Sequence, residues 1–136
     1  MNQTEFFERL GAPLENSRWS WGAVRRGDGA VFLKVWRDLM RMHNGSRVAQ
    51  VTFHARFRAD PGNFRHQRRL QHVEFVQGGA ACYLIECEVV DPGAEPRRVK
   101  WFNSQEIFPG GQVVEIDGDL WVEMRPALEA RAMMTR

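Results

Sequence analysis

The chain has 136 residues, 43% hydrophobic and 26% charged, with a formal net charge of +2: the size and make-up of one globular domain that buries roughly two thirds of its unfolded surface. No run of about eighteen apolar residues occurs, and residues 1–11 are acidic and amphipathic, so neither a membrane span nor a secretory signal is expected and the cytoplasm is the expected location. Of the 19 basic residues 17 are arginine, the side chain whose planar fork suits phosphates, carboxylates and aromatic rings, although arginine usage also follows genome composition.

In chain order, Thr4 is placed to cap a short helix with Phe6, Phe7 and Leu10 on one side, stopped by Gly11 and Pro13 and expected to cover the end of a barrel. Residues 16–36, NSRWSWGAVRRGDGAVFLKVW, alternate with period two on both sides of a Gly27-Asp28-Gly29 turn, which predicts a β-hairpin. Three of the five tryptophans sit on it, and apolar residues appear on both faces of both strands. Alternation cannot send Trp19, Trp21, Trp36 and Val31, Leu33, Val35 to one face, so at least one indole is expected partly exposed in a pocket; a buried central hairpin is the plainer reading. Residues 37–44 read as a short helix or irregular loop before the Asn44-Gly45 turn, and 48–57 as a third strand with Val51, Phe53, Ala55 and Phe57 inward.

Asp60-Pro61-Gly62 breaks that strand. Asn63 is placed to cap a helix reaching about 77, with Leu70, Val73 and Val76 as its inner stripe, a basic outer face and Gly78-Gly79 as its stop. Residues 81–90 read as a core strand, turned by Asp91-Pro92-Gly93 onto an antiparallel neighbour at 97–103; a last hairpin pairs 112–116 with 120–124 across 117–119, and Pro126 begins a short helix or frayed tail. Cys82 and Cys87, five apart on one strand, point to opposite faces, which disfavours a disulfide or zinc knuckle and makes them core thiols. About seven strands and two or three short helices, without βαβ alternation, predict an α+β fold: a single domain over 1–136 whose strands curl into a small antiparallel or mixed β-barrel flanked by short helices.

The chemistry is defined first by what is missing. There is no GxxxxGK[ST], GxSxG or HExxH motif, so nucleotide hydrolysis and serine chemistry are unsupported, and no catalytic residue, metal site or cofactor is assigned. Glu86 and Glu88 share a strand face, and a small hydrolase or nuclease using them with His54 or His72 stays open; so does a solvent-facing pair opposite Arg97 or Lys100. His43-Asn44 lacks the second histidine and cysteines of an HNH site.

The runs NSRWSWGA and VFLKVW, a helix ending at Gly78-Gly79, then CYLIECEV, DPGAEPRRVKWFN and GGQVVEIDGDLWVE, resemble a bacterial domain associated with modification-dependent restriction proteins. Their element order is similar to the PUA-like group that includes EVE, ASCH and SRA domains, and the likeness spans most of the chain. It implies a curled barrel that holds a base, often a modified one, in an aromatic pocket. DNA is then the implied partner and, since the chain carries no nuclease motif of its own, a separate nuclease subunit.

The residues agree in part. A base-reading pocket needs aromatic faces, donors and acceptors for the base edge, and arginines for the backbone. Trp19, Trp21, Trp36, Trp101 and Phe102 are candidate faces; Asn16, Ser17, Ser20 and Asn103 are candidate edge readers; Arg56, Arg58, Arg65, Arg68 and Arg69 are candidate phosphate contacts. Each has a plainer role, in the core or on a solvated surface. A third class also stays open, an interaction or dimerisation module docking through 37–44 or Met133-Met134.

Overall fold

The computed structural model describes residues 1–134. Helix α1 (Gln3–Arg9) is capped by Asn2, whose side-chain oxygen accepts from the Glu5 N–H at 2.9 Å; the cap lies two residues before Thr4, because the chain is already helical at Gln3. Gly11, with φ +76°, ends it. Strands β1 (Gly22–Val24) and β2 (Val31–Trp36) form the expected antiparallel hairpin, Ala23 opposite Phe32. A Cβ at Gly22 would collide with the Phe32 carbonyl oxygen, so the glycine lets β1 lie against β2. Trp19 and Trp21 precede β1, in a turn closed by Ser20 N–H donating to the Asn16 carbonyl.

After a 3-10 turn at Arg37–Leu39, residues 37–44 prove to hold strand β3 (Met40–His43), paired with β4 (Ser46–Gln50) across Asn44-Gly45, both at positive φ. A helix or loop was expected there because β3 is an edge strand whose Arg41 and Met42 face solvent, which blurs the alternation. The third strand stops at Gln50 instead of running to 57. Asp119 is the reason: its carboxylate accepts from Thr52 Oγ1 and from the His54 N–H, both at 2.8 Å, pulling the chain out of the sheet. Phe53 and Phe57 are buried from successive turns, while Ala55 is exposed.

Helix α2 (Phe64–Gln77) is capped by Asn63, which accepts from the Arg65 and His66 N–H groups, and ends at Gly78-Gly79, as the sequence predicts. Its buried face is unexpected: Val73 lies inside with His66, Arg69 and His72, whereas Leu70 and Val76 are only partly buried. Strand β5 (Cys82–Val89) pairs antiparallel with β6 (Val99–Phe102), β7 (Glu106–Ile116) with β8 (Asp119–Met124), and the tail adds β9 (Leu128–Glu129) against β7 before a 3-10 turn at Ala130–Met133.

The nine strands make one mixed sheet, β1-β2-β5-β7-β8-β4-β3, with β6 beside β5 and β9 beside β7. Among the described residues only β2 and β5 run parallel, Lys34 opposite Ile85. Strand β7 turns the corner, its first half on β5 and its second on β8, with a bulge at Gly110. The sheet curls but does not close, so the expected barrel is not formed: β1 and β3 remain edges. Near the gap, α2 inserts the Arg69 guanidinium, which donates to the carbonyls of Trp21 (2.8 Å), Lys34 (2.6 Å) and Val51 (3.1 Å). Helix α2 therefore belongs to the inside of the curl, not to the outside.

Two apolar clusters follow from the period of β2. Val31, Leu33 and Val35 join Leu84, Val51, Val122 and Val73 on one side; Phe32 joins Ile85, Ile107, Phe6 and Phe7 of α1 and its C-cap Leu10 on the other. Helix α1 therefore covers a sheet face, not a barrel end. Cys82 and Cys87 fall in opposite clusters as free thiols, which burial pushes up to about 12, so they are neutral packing groups. Among the described residues no helix is long and apolar enough to cross a membrane.

Candidate functional site

A cavity of about 410 Å³ opens where the first hairpin, the 53–57 turns, α2 and the loop before β6 meet, within the size range of small-molecule sites. Trp19, Trp21 and Trp36 all line it and all are partly buried. Trp21 is the most embedded in aromatic contacts, with Phe53 edge-on at 5.8 Å, Phe57 at 5.7 Å and the Arg69 guanidinium 5.6 Å from its ring. Trp19 has Phe64 edge-on at 4.5 Å as its one aromatic contact among the described residues. Trp36 carries Arg97 over its ring at 4.7 Å.

Two arginines fix the wall formed by residues 91–98. Arg97 pairs with Asp38 and donates to the Pro92 carbonyl; Arg56 pairs with Glu95 at 2.6 Å and donates to the Ala94 carbonyl. The wall carries seven cationic residues (Arg18, Lys34, Arg56, Arg65, Arg69, Arg97, Arg98) against one carboxylate, Glu95. Arg18, Arg65 and Arg98 make no ion pair among the described residues. A cavity of apolar rings with so large a cationic surplus favours a flat anionic ligand.

Lys34 is the least expected member. Set among Leu33, Val35 and Trp36 in β2, it is 9% exposed, and its ammonium sits over the Phe7 ring at 5.6 Å with no hydrogen bond or ion pair among the described residues. Burial lowers it to about 8, and the Arg69 charge adds to that. The buried Gln3 amide oxygen and the Nε atoms of Arg65, Arg69 and Arg97, all from lining residues, have no hydrogen-bond partner among the described residues.

Of the residues singled out from sequence, Ser17, Trp19, Ser20, Trp21, Trp36, Arg56, Arg65 and Arg69 line the cavity. Ser20 is committed to its own turn, its Oγ accepting from the Asn16 N–H at 2.9 Å, and Arg69 is spent on carbonyls. The others lie off the wall. Asn16 accepts from the Arg18 N–H, and Asn103 accepts from the Gln105 and Glu106 N–H groups. Trp101 is 42% exposed on β6 beneath Arg37, Arg58 is exposed, and Arg68 is held by Glu15 and Gln71. Sequence reasoning missed Gln3, Arg18, Lys34, Phe53, Phe57, Arg97 and Arg98. A single charge inside the apolar run VFLKVW was the legible signal for Lys34.

The carboxylates proposed for catalysis are paired away from the cavity. Glu86 accepts from Arg37 Nε at 3.1 Å and from Asn103 at 3.3 Å, and Glu88 lies between Arg37 and Lys100. No histidine lines the cavity, and among the described residues no group of three or more His, Cys, Asp or Glu is placed to hold a metal. Exposed Met42, Val90 and Leu128 lie on separate segments, exposed Phe64 and Phe75 both lie on α2, and Met133 and Met134 pack against the cluster of Phe32, Ile85 and Ile107. No family model, curated protein or solved structure matches this chain.

Proposed function

We propose that this chain is a nucleic-acid-binding module of the PUA-like kind that holds one unstacked base, a modified DNA base in the reading its sequence resemblance favours, in the tryptophan-lined cavity. The observation that carries this reading is the make-up of that wall: Trp19, Trp21 and Trp36 around one concavity, with Arg18, Arg65 and Arg98, which make no ion pair among the described residues, beside them. Stacking one base on such a ring is worth about 1 to 3 kcal/mol and tolerates any base, since every base has a π face. The arginines supply the phosphate attraction that gives most nucleic-acid affinity and its salt dependence. A cytoplasmic setting and a separate nuclease acting on the bound strand fit the same reading.

Fluorescence anisotropy of labelled strands tests it. Single-stranded DNA, or duplex carrying a modified base that leaves the stack readily, should bind more tightly than unmodified duplex, because unstacking costs a few kcal/mol in the intact helix. Equal binding of all three, or none at all, contradicts the proposal; RNA in a parallel titration decides which strand is preferred.

A further inference from the structure

Lys34 poses a physical problem that the base-binding reading does not by itself resolve. The residue is only 9% exposed and lines the cavity, and among the described residues its ammonium has no hydrogen bond or ion pair. From α1 comes the Phe7 ring; from β5, Ile85 in register beside it and the Cys87 thiol, neutral with its value pushed up to about 12; from α2, another cation, Arg69. The residue next along β5, Glu86, is already taken by Arg37 and Asn103. The aliphatic stem is desolvated while the ammonium keeps access to the cavity without a protein acceptor among the described residues, so a methionine of similar length would be no less stable an occupant. The position makes sense if the acceptor arrives with the ligand.

Gln3 sharpens the chemistry. It precedes Phe7 by four residues, on the same face of α1, and lines the cavity, its buried amide oxygen without a hydrogen-bond partner among the described residues. The amide presents donors and an acceptor, whereas the lysine only donates.

We infer that Lys34 is the specificity-determining residue of the cavity, its ammonium selecting a ring that presents a carbonyl oxygen, an oxo base of the guanine, thymine or uracil class, over one presenting an exocyclic amine at that position. The inference rests on the base-binding proposal above and adds the ligand class. Lysine pairing with the guanine O6 and N7 acceptors is the groove-reading counterpart of this contact. At neutral pH the group remains largely protonated despite its burial, and a ligand oxygen would stabilise the charged form.

Uracil and cytosine differ at position 4 by an oxygen against an amine, so short single-stranded oligo(dU) and oligo(dC) form the sharpest pair. Quenching of tryptophan fluorescence should give oligo(dU) about tenfold tighter binding. Lys34→Met should bind both strands alike, still quenching through the tryptophans, and should melt no lower than the unaltered chain. Equal binding of the two strands by the unaltered chain, a preference for oligo(dC), or a preference that survives in Lys34→Met overturns the inference and leaves base binding standing. A Lys34→Met chain that fails to fold also overturns it, since the ammonium would then be a structural group. If neither strand binds the unaltered chain, the base-binding proposal falls and the inference with it.

Discussion

Arg69 grips Trp21 twice, donating from Nη2 to its carbonyl at 2.8 Å while the guanidinium carbon lies 5.6 Å from the centre of its ring. The same guanidinium ties β2 through Lys34 and the end of β4 through Val51. It remains charged although burial lowers it to about 10. The cavity floor is thus built from the gap in the sheet, and the arginine that spans the gap sets where the indole stands.

Arg69 is then a structural cation. Arg69→Met should cost about 3 to 5 kcal/mol, because three carbonyls lose a charged donor in a buried site, and chemical denaturation should record it as a lower midpoint. Little loss of stability would show that the three bonds contribute nothing net.

On the proposed reading the phosphate contacts fall to the cavity rim, to Arg18, Arg65 and Arg98, and not to Arg68, which Glu15 holds. Arg18→Ala with Arg98→Ala should weaken binding of all sequences alike and flatten the dependence of log K on log salt by about one unit for each lost contact, with the melting temperature unchanged. Arg68→Ala, which removes a partner of Glu15, should leave that slope alone.

The tryptophans should separate in the same assays. Trp19, whose one aromatic contact among the described residues is the Phe64 edge, should lose affinity on substitution by alanine, by about 1 to 3 kcal/mol, without loss of stability. Trp21, packed by Phe53, Phe57 and Arg69, should cost about 3 to 5 kcal/mol of stability as Trp21→Ala. Comparable destabilisation by both variants, with no selective loss of binding, would make the hairpin a core element alone.

Acid should loosen the α2 contact. His66 Nε2 accepts from the Phe53 N–H at 2.9 Å, and burial, with His54 and Arg69 nearby, lowers His66 to about 4; burial likewise lowers His72 to about 4. Between the ordinary value of 6.5 and 4 the unfolded chain takes up protons that the folded chain refuses. Stability is therefore intact above about 6.5 and declines as pH falls toward 4. Melting curves should show this decline, and His66→Gln, whose amide oxygen accepts the same N–H without titrating, should reduce it. A melting temperature flat across that range would contradict the assignment of His66 as a neutral acceptor.

Much of the fold was legible because local signals agreed with it. The Gly27-Asp28-Gly29 hairpin, the Asn63 cap, the antiparallel pair β5–β6 and the 117–118 turn follow from residues close in sequence. The failures have long-range causes. Residues 53–57 alternate like a strand, but Asp119, more than sixty residues on, bends them away. Helix α2 was read by its apolar stripe, and tertiary contacts instead buried His66 and Arg69 against carbonyls and rings. The site divided in the same way: the Trp-Ser-Trp run marks one wall, whereas Gln3, Phe57 and Arg97 reach it from three distant segments that carry no shared pattern.

The most direct test of a base seated in the cavity is tryptophan fluorescence during titration with two single strands of equal length, one intact and one carrying abasic sites. Both keep the phosphates, so the cationic rim acts on each alike. The account predicts strong quenching and tighter binding for the intact strand, with weaker binding and little quenching for the abasic one. Equal affinity and equal quenching would contradict it, leaving a surface that holds nucleic-acid backbone without reading a base.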